Sequence, residues 1–278
     1  MRRFAGLPKG SNIGPTHAEL CVWPVSLRAE RTALNHIERL HRATGTAEII
    51  ADLRASPRSR MGQARRDFDF VVRAKPAPAP PRQPPHRAPA LRIETTIPGV
   101  QSKQRTPHCA IRQETAQRVE LDYASRVHLY TDGSVSRDGN SATAACTAPA
   151  IGITKQCRVR FFASSTTAEI SALHLAADVI AETPDLKHVA ILSDSRSALM
   201  QLQRPYRAAM CVQWLFHKLC SLSARDCDIV LQWVPAHVGL PGNEAADRLA
   251  KAAHGDPAVP YCANISAFDV ARHIIRYK

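Results

Sequence analysis

From about residue 113 onward, apolar positions fall into short runs and helical stripes, separated by Pro, Gly and charged residues. Val127, Leu129 and Tyr130 lead into Asp132 and predict a buried strand. Residues 142–153 and 157–162 predict two more strands, joined by a turn near Gly152. Residues 166–183 are good helix formers that stop before Pro184. There follow an apolar strand over 188–193, a short helix over 195–202 that ends before Pro205, a long amphipathic helix over 206–225 and a strand over 228–234. The last helix, 241–254, has Pro241 in its first turn and Gly255 past its end. The order β-β-β-α-β-α-α-β-α predicts an α/β fold, a mixed five-stranded sheet flanked by helices.

Upstream the pattern is thinner. Leu27, Leu34, Ile37 and Leu40 recur every three to four residues, with Arg28, Arg31, Glu38 and Arg39 between them, which predicts a helix within 20–53. Ile49, Ile50 and Leu53 suggest a second, short one. So little apolar surface does not make a domain. Residues 75–89 are dominated by Pro, Ala and Arg and favour an extended linker, or a ligand for a proline-recognition domain. The expected division is a basic, partly helical N-terminal segment (1–74), a Pro-rich linker (75–112), the α/β domain (113–255) and a C-terminal tail (256–278).

Charge sharpens this division. Residues 1–120 hold 21 Lys and Arg against 10 Asp and Glu, whereas residues 121–278 hold 16 against 14. A basic excess confined to one part reads as a polyanion-binding arm beside a near-neutral domain. Nucleic acid is the expected polyanion, with an acidic membrane surface or simple solubility as alternatives, and Arg suits phosphate better than Lys. The 8 cysteines show neither a Cys-x-x-Cys pair nor a zinc-like Cys/His spacing, which points to reduced thiols and an intracellular protein. No apolar run approaches the roughly 18 residues that span a bilayer.

The chemistry is concentrated in four short motifs. In Tyr130-Thr131-Asp132-Gly133-Ser134 an acid ends an apolar strand. By itself this is the pattern of a turn with a satisfied Asp. Ser164-Ser165-Thr166-Thr167-Ala168-Glu169 is a hydroxyl-rich loop opening a helix, with Glu169 expected in its first turn beside the inward stripe of Ala172, Leu173, Ala176 and Ile180. A capping role for that Glu is the simpler alternative. Ile191-Leu192-Ser193-Asp194-Ser195 again places an acid at a strand end, where an Asp often caps the next helix. Finally, Trp233-Val234-Pro235-Ala236-His237-Val238-Gly239 leads to Gly242-Asn243-Glu244-Ala245-Ala246-Asp247, with Asp247 among Ala246, Leu249 and Ala250. Four inward-tending carboxylates in one small unit are costly unless cations neutralise them. Oxygen donors select hard divalent ions, Mg²⁺ or Mn²⁺, and the lack of thiolate or multi-His ligands argues against zinc.

These four motifs, in this order and approximate spacing, resemble type 1 ribonuclease H. The resemblance implies an endonuclease that hydrolyses the RNA strand of RNA–DNA hybrids with two Mg²⁺ ions about 4 Å apart, Mn²⁺ substituting. It implies Asp132, Glu169, Asp194 and Asp247 as the metal-binding acids and His237 as a loop histidine assisting proton transfer or product departure. It places Ser134, Ser164, Ser165, Thr166 and Asn243 against the hybrid's backbone or 2′-hydroxyls. Ser165 and Thr166 stand where other members often carry Asn. The basic, Trp-bearing protrusion of some cellular enzymes is missing, and Trp214, at helical spacing with Met210 and Cys211, reads as core. The Arg-rich helical piece, the Pro-rich linker and Arg105-Thr106-Pro107 resemble the stretch between reverse transcriptase and ribonuclease H in non-LTR retrotransposon polyproteins. No Tyr/Phe-x-Asp-Asp polymerase signature is present. Two other readings stay open: a non-catalytic hybrid- or RNA-binding relic, and a DNA transposase or integrase of the same fold, which uses three carboxylates.

Overall fold

The computed structural model describes residues 25–42, 46–67, 91–100, 106–137, 141–159 and 163–262. The Pro-rich run 75–89 and most of the tail lie outside these residues. Helices within 25–67 belong to one compact unit and residues 91–262 to another. In the first unit, α1 (Val25–Arg42), α2 (Ala47–Ala55) and α3 (Arg60–Asp67) follow one another. Leu34 and Ile37 of α1 are buried, as their spacing predicts, but α2 buries nothing and Ile49 is exposed. The short second helix therefore forms without the apolar stripe becoming core.

The second unit is built on a seven-stranded sheet. Its strands are β1 (Arg92–Glu94), β2 (Val127–Val135), β3 (Ala142–Ala148), β4 (Ile153–Val159), β5 (His188–Ser193), β6 (Asp228–Trp233) and β7 (Tyr261–Cys262). The order across the sheet is β1-β6-β5-β2-β3-β4-β7. β2, β3 and β4 form an antiparallel meander, while β5 and then β6 add in parallel beside β2. The helices are α4 (His108–Gln117), α5 (Ser165–Glu182), α6 (Arg196–Leu202), α7 (Met210–Ser223) and α8 (Pro241–Ala252).

Both sheet faces are covered, which is why the central strands read as continuous apolar runs. Leu129, Ile191 and Leu231 share one core cluster with Leu173 of α5, Leu199 of α6 and Leu215 of α7. Their sequence neighbours Tyr130, Leu192 and Val230 share the other, with Ile111 of α4 and Ala246 of α8. The strand period of two thus sends alternate residues into two separate cores.

The five expected strands form the centre of the sheet, and two short ones extend its edges. β1 pairs in parallel with β6, Arg92 opposite Val230, although residues 75–112 are expected to be linker. β7, from the expected tail, pairs with β4, Val159 opposite Cys262. β1 and the turn after α4 are held by Gln232, a fully buried amide on β6. Its oxygen accepts from Tyr123 Oη at 2.8 Å and Arg118 Nε at 3.2 Å, and its nitrogen donates to the Thr96 carbonyl at 3.0 Å. A satisfied buried amide is a strong tether, because breaking any one bond strands a polar atom. Two other expectations shift. The strand expected over 142–153 ends at Ala148, where a turn over Pro149–Ile151 intervenes. The helix expected over 206–225 begins only at Met210, after a separate 3₁₀ turn at Pro205–Arg207. Among the described residues no helix is long and apolar enough to cross a membrane.

Candidate active site

Strand register brings the first two acids together. Thr131 of β2 lies opposite Ser193 of β5, so the next residues, Asp132 and Asp194, are neighbours; β5 ends there, whereas β2, expected to end at Asp132, runs on to Val135. The Trp233 indole donates to the Asp194 carbonyl at 3.1 Å and fixes that main chain. The third acid, Glu169, comes from α5. Ser164 caps this helix, its hydroxyl accepting from the Thr167 N–H at 3.2 Å. The helix starts at Ser165, one residue earlier than expected, so its first turn holds no acid and Glu169 falls just beyond it. That removes capping as its reason for being there.

Gly133 sets how closely helix and strand approach. A Cβ at this position would lie 2.4 Å from the Glu169 nitrogen, far inside any real contact, so only glycine admits the packing. One carboxylate oxygen from each of Asp132, Glu169 and Asp194 then lies within 4.8 Å of the others. Asp132 is 6% exposed and Glu169 9%. Burial, followed by the charges of Asp194 and Asp247, pushes the Asp132 carboxyl up to about 7. Burial, then Asp132 and Asp194, raises Glu169 well above the carboxylate range. The Gly133 N–H offsets both in part. Glu169 Oε2 is buried with no hydrogen-bond partner. Crowded, desolvated oxygens with one acceptor unused are the donor set a hard divalent cation takes.

Asp247 stands apart. It projects from α8, whose neighbouring Ala246 and Ala250 are buried, and its charge is felt by Asp132 and Glu169. Its carboxylate does not join the three-acid cluster, and its Oδ2 instead pairs with Lys251 Nζ at 2.8 Å, one turn along the helix. The structure therefore gathers three of the four expected acids and gives the fourth a cation from the protein.

The remaining candidates are spread around this corner. His237 is exposed, in a loop where its own φ is +58°. Ser165 is exposed, Thr166 half-buried, and Ser164 is the helix cap. Asn243 is 4% exposed, its Oδ1 buried without a partner. Trp214 is half-buried, and its indole nitrogen is buried without a partner. Ser134 lies beside a residue that sequence reasoning missed. The His254 ring bridges three hydroxyls, Ser134 Oγ at 3.1 Å, Ser141 Oγ at 2.8 Å and Thr143 Oγ1 at 3.3 Å. Its only signal in the sequence was its place two helical turns after Asp247.

No curated protein matches the chain. Residues 124–254 match the family described as RNase H. That span runs from the start of β2 to His254 and contains all four acids, the His237 loop and the five central strands. With the strand order and the three-acid corner, the match identifies residues 124–254 as a ribonuclease H domain.

Proposed function

We propose that the chain is a divalent-metal-dependent endoribonuclease that hydrolyses the RNA strand of RNA–DNA hybrids. The observation that carries this is the Asp132–Glu169–Asp194 cluster, in which one buried Glu169 oxygen has no hydrogen-bond partner. These three carboxylates would hold the cation, and Asp247 would complete the set on releasing Lys251. Bound there, two Mg²⁺ ions, or Mn²⁺, would neutralise the crowded charge and polarise the scissile phosphate and the attacking water. His237 would move a proton at the leaving oxygen or assist product departure from its exposed loop. Ser134, Ser164, Ser165, Thr166 and Asn243 would contact the hybrid's backbone and 2′-hydroxyls.

The basic arm supports a second, affinity-giving contact with nucleic acid, and it suits an intracellular protein. Its Arg-rich helix and Pro-rich linker also support descent from a retrotransposon polyprotein. The test is a labelled RNA–DNA hybrid incubated with the full chain and Mg²⁺, beside DNA and RNA duplexes. Cleavage confined to the RNA of the hybrid is the expected result, with none in Ca²⁺, whose looser coordination should not hold the reacting geometry. Hybrid binding without cleavage would mark a relic, and strand joining on DNA would mark a transposase.

A further inference from the structure

The helix that precedes the family-matched region reaches the loop that carries His237. α4 begins at His108, and its Ile111 shares a core cluster with Val234, Val238 and Leu240, which flank or form that loop. Two exposed side chains of α4 touch the loop itself. His108 Nε2 donates to the His237 carbonyl at 3.4 Å. The Arg112 guanidinium carbon lies 3.3 Å from the point where a Cβ on Gly239 would stand, so the flat cation fills the space beside that glycine.

The loop needs support at these places. His237 has φ +58° and Gly239 φ +77°, two left-handed residues within three. Glycine adopts that conformation freely, but for histidine it is strained and persists only where the surroundings enforce it. The contacts from α4 fall on His237's own carbonyl and on the glycine two residues later. Both therefore act on the main chain that aims the imidazole.

We propose that His108 and Arg112 are positioning residues that hold the His237 loop in its left-handed conformation, so that the catalytic unit begins before residue 124, with α4. The proposal rests on reading His237 as the group that assists cleavage. It assigns no contact with substrate to either residue. Both are exposed, so their removal should leave the fold intact.

The experiment is a double-mutant cycle in the full chain, read by single-turnover cleavage of a labelled hybrid. His108→Ala and Arg112→Ala should each slow cleavage roughly 3- to 10-fold, the effect of one modest hydrogen bond, with little change in KM. Placed on His237→Ala, neither should slow it further, because there is no imidazole left to aim. His108→Gln, whose amide can still donate to the carbonyl, should restore most of the rate. A loss of equal size with and without the His237 ring, or no loss in either single variant, overturns the proposal. A second readout is independent of turnover: amide hydrogen exchange at Val238 and Gly239 should be faster in both alanine variants than in the parent protein. Unchanged exchange overturns the proposal even if hybrids are cleaved. Faster exchange in a protein that cleaves no hybrid would retain the positioning contact and refute the nuclease reading alone.

Discussion

Asp132 and Asp247 sit at one corner of the domain with opposite electrostatic surroundings. Asp132 shares its space with Glu169 and Asp194 and is almost fully buried, and the charge of Lys251 reaches it only as the last of its influences. Asp247 is partly exposed and holds Lys251 at 2.8 Å. Two carboxylates of the same helix–sheet junction thus differ in what neutralises them. For Asp132 it is a proton or an external cation, whereas for Asp247 it is a lysine one turn away. Much of the cost of assembling the site falls on the buried cluster, because desolvation and like-charge repulsion act together there.

The largest expected effect tests the crowded side. Asp132→Asn or Asp194→Asn should reduce hybrid cleavage to about a thousandth of the parent rate or less, while the metal-free protein melts no lower, since one repelling charge is gone. A variant that cleaves at the parent rate would break the assignment. Asp247→Asn should lose less, roughly 10- to 100-fold in single-turnover rate, because its carboxylate stands outside the cluster. A loss as large as that of Asp132→Asn would show that all four acids act as one set and would dissolve the contrast.

The third effect is on stability. The Asp132 carboxyl is raised from its usual range to about 7 in the folded protein. The folded state therefore holds its proton longer than the unfolded chain does. The stability this provides is fully present below about pH 4 and is lost as pH rises through about 7. Melting of the metal-free protein should weaken across that window by an amount on the order of a few kcal/mol, over and above the pH response of other groups. Adding Mg²⁺, or the Asp132→Asn change, should flatten the curve. A metal-free melting temperature that rises steadily through pH 5 to 8 would contradict the buried, unneutralised cluster. The smallest effect is expected on the paired side. Lys251→Met breaks an exposed ion pair and should change stability by less than about 1 kcal/mol, with a modest tightening of Mg²⁺ binding seen by calorimetry. A large destabilisation would mean that the pair is a structural tie.

The same contrast separates what was legible in the sequence from what was not. Asp132 and Asp194 could be read because each ends an apolar run, and parallel pairing of those runs was enough to bring them together. The i,i+4 pair of Asp247 with Lys251 went unread, because oppositely charged residues at that spacing are common on exposed helix faces. Strands β1 and β7, three and two residues long, leave too short a pattern for any period to show. They are recognised by their partners, β6 and β4, which lie far away in sequence. His254 illustrates the same limit. Its three hydroxyl partners sit on β2, on β3 and just before β3, so no local spacing could have announced the cluster. The break before α7 was signalled by Pro205 but placed too early, because Tyr206 and Arg207 are good enough helix formers to hide the 3₁₀ turn.

The fit of Gly133 against Glu169 carries a lesson about inheritance. Where main chain touches main chain, spacing is a dimension of the scaffold itself and is insensitive to which rotamers the neighbouring side chains choose. Core residues elsewhere can be exchanged over time, surface charges can come and go, and the separation between strand and helix will be copied unchanged as long as that one position stays bare. The position least open to substitution in this corner is therefore one with no functional group, and the disabling lesion hardest to spot by inspecting the acids would be a single added methyl, Gly133→Ala. Such a variant should keep every carboxylate and still fail to retain Mg²⁺ in a calorimetric titration; full-strength binding would show that the helix can step back without harm.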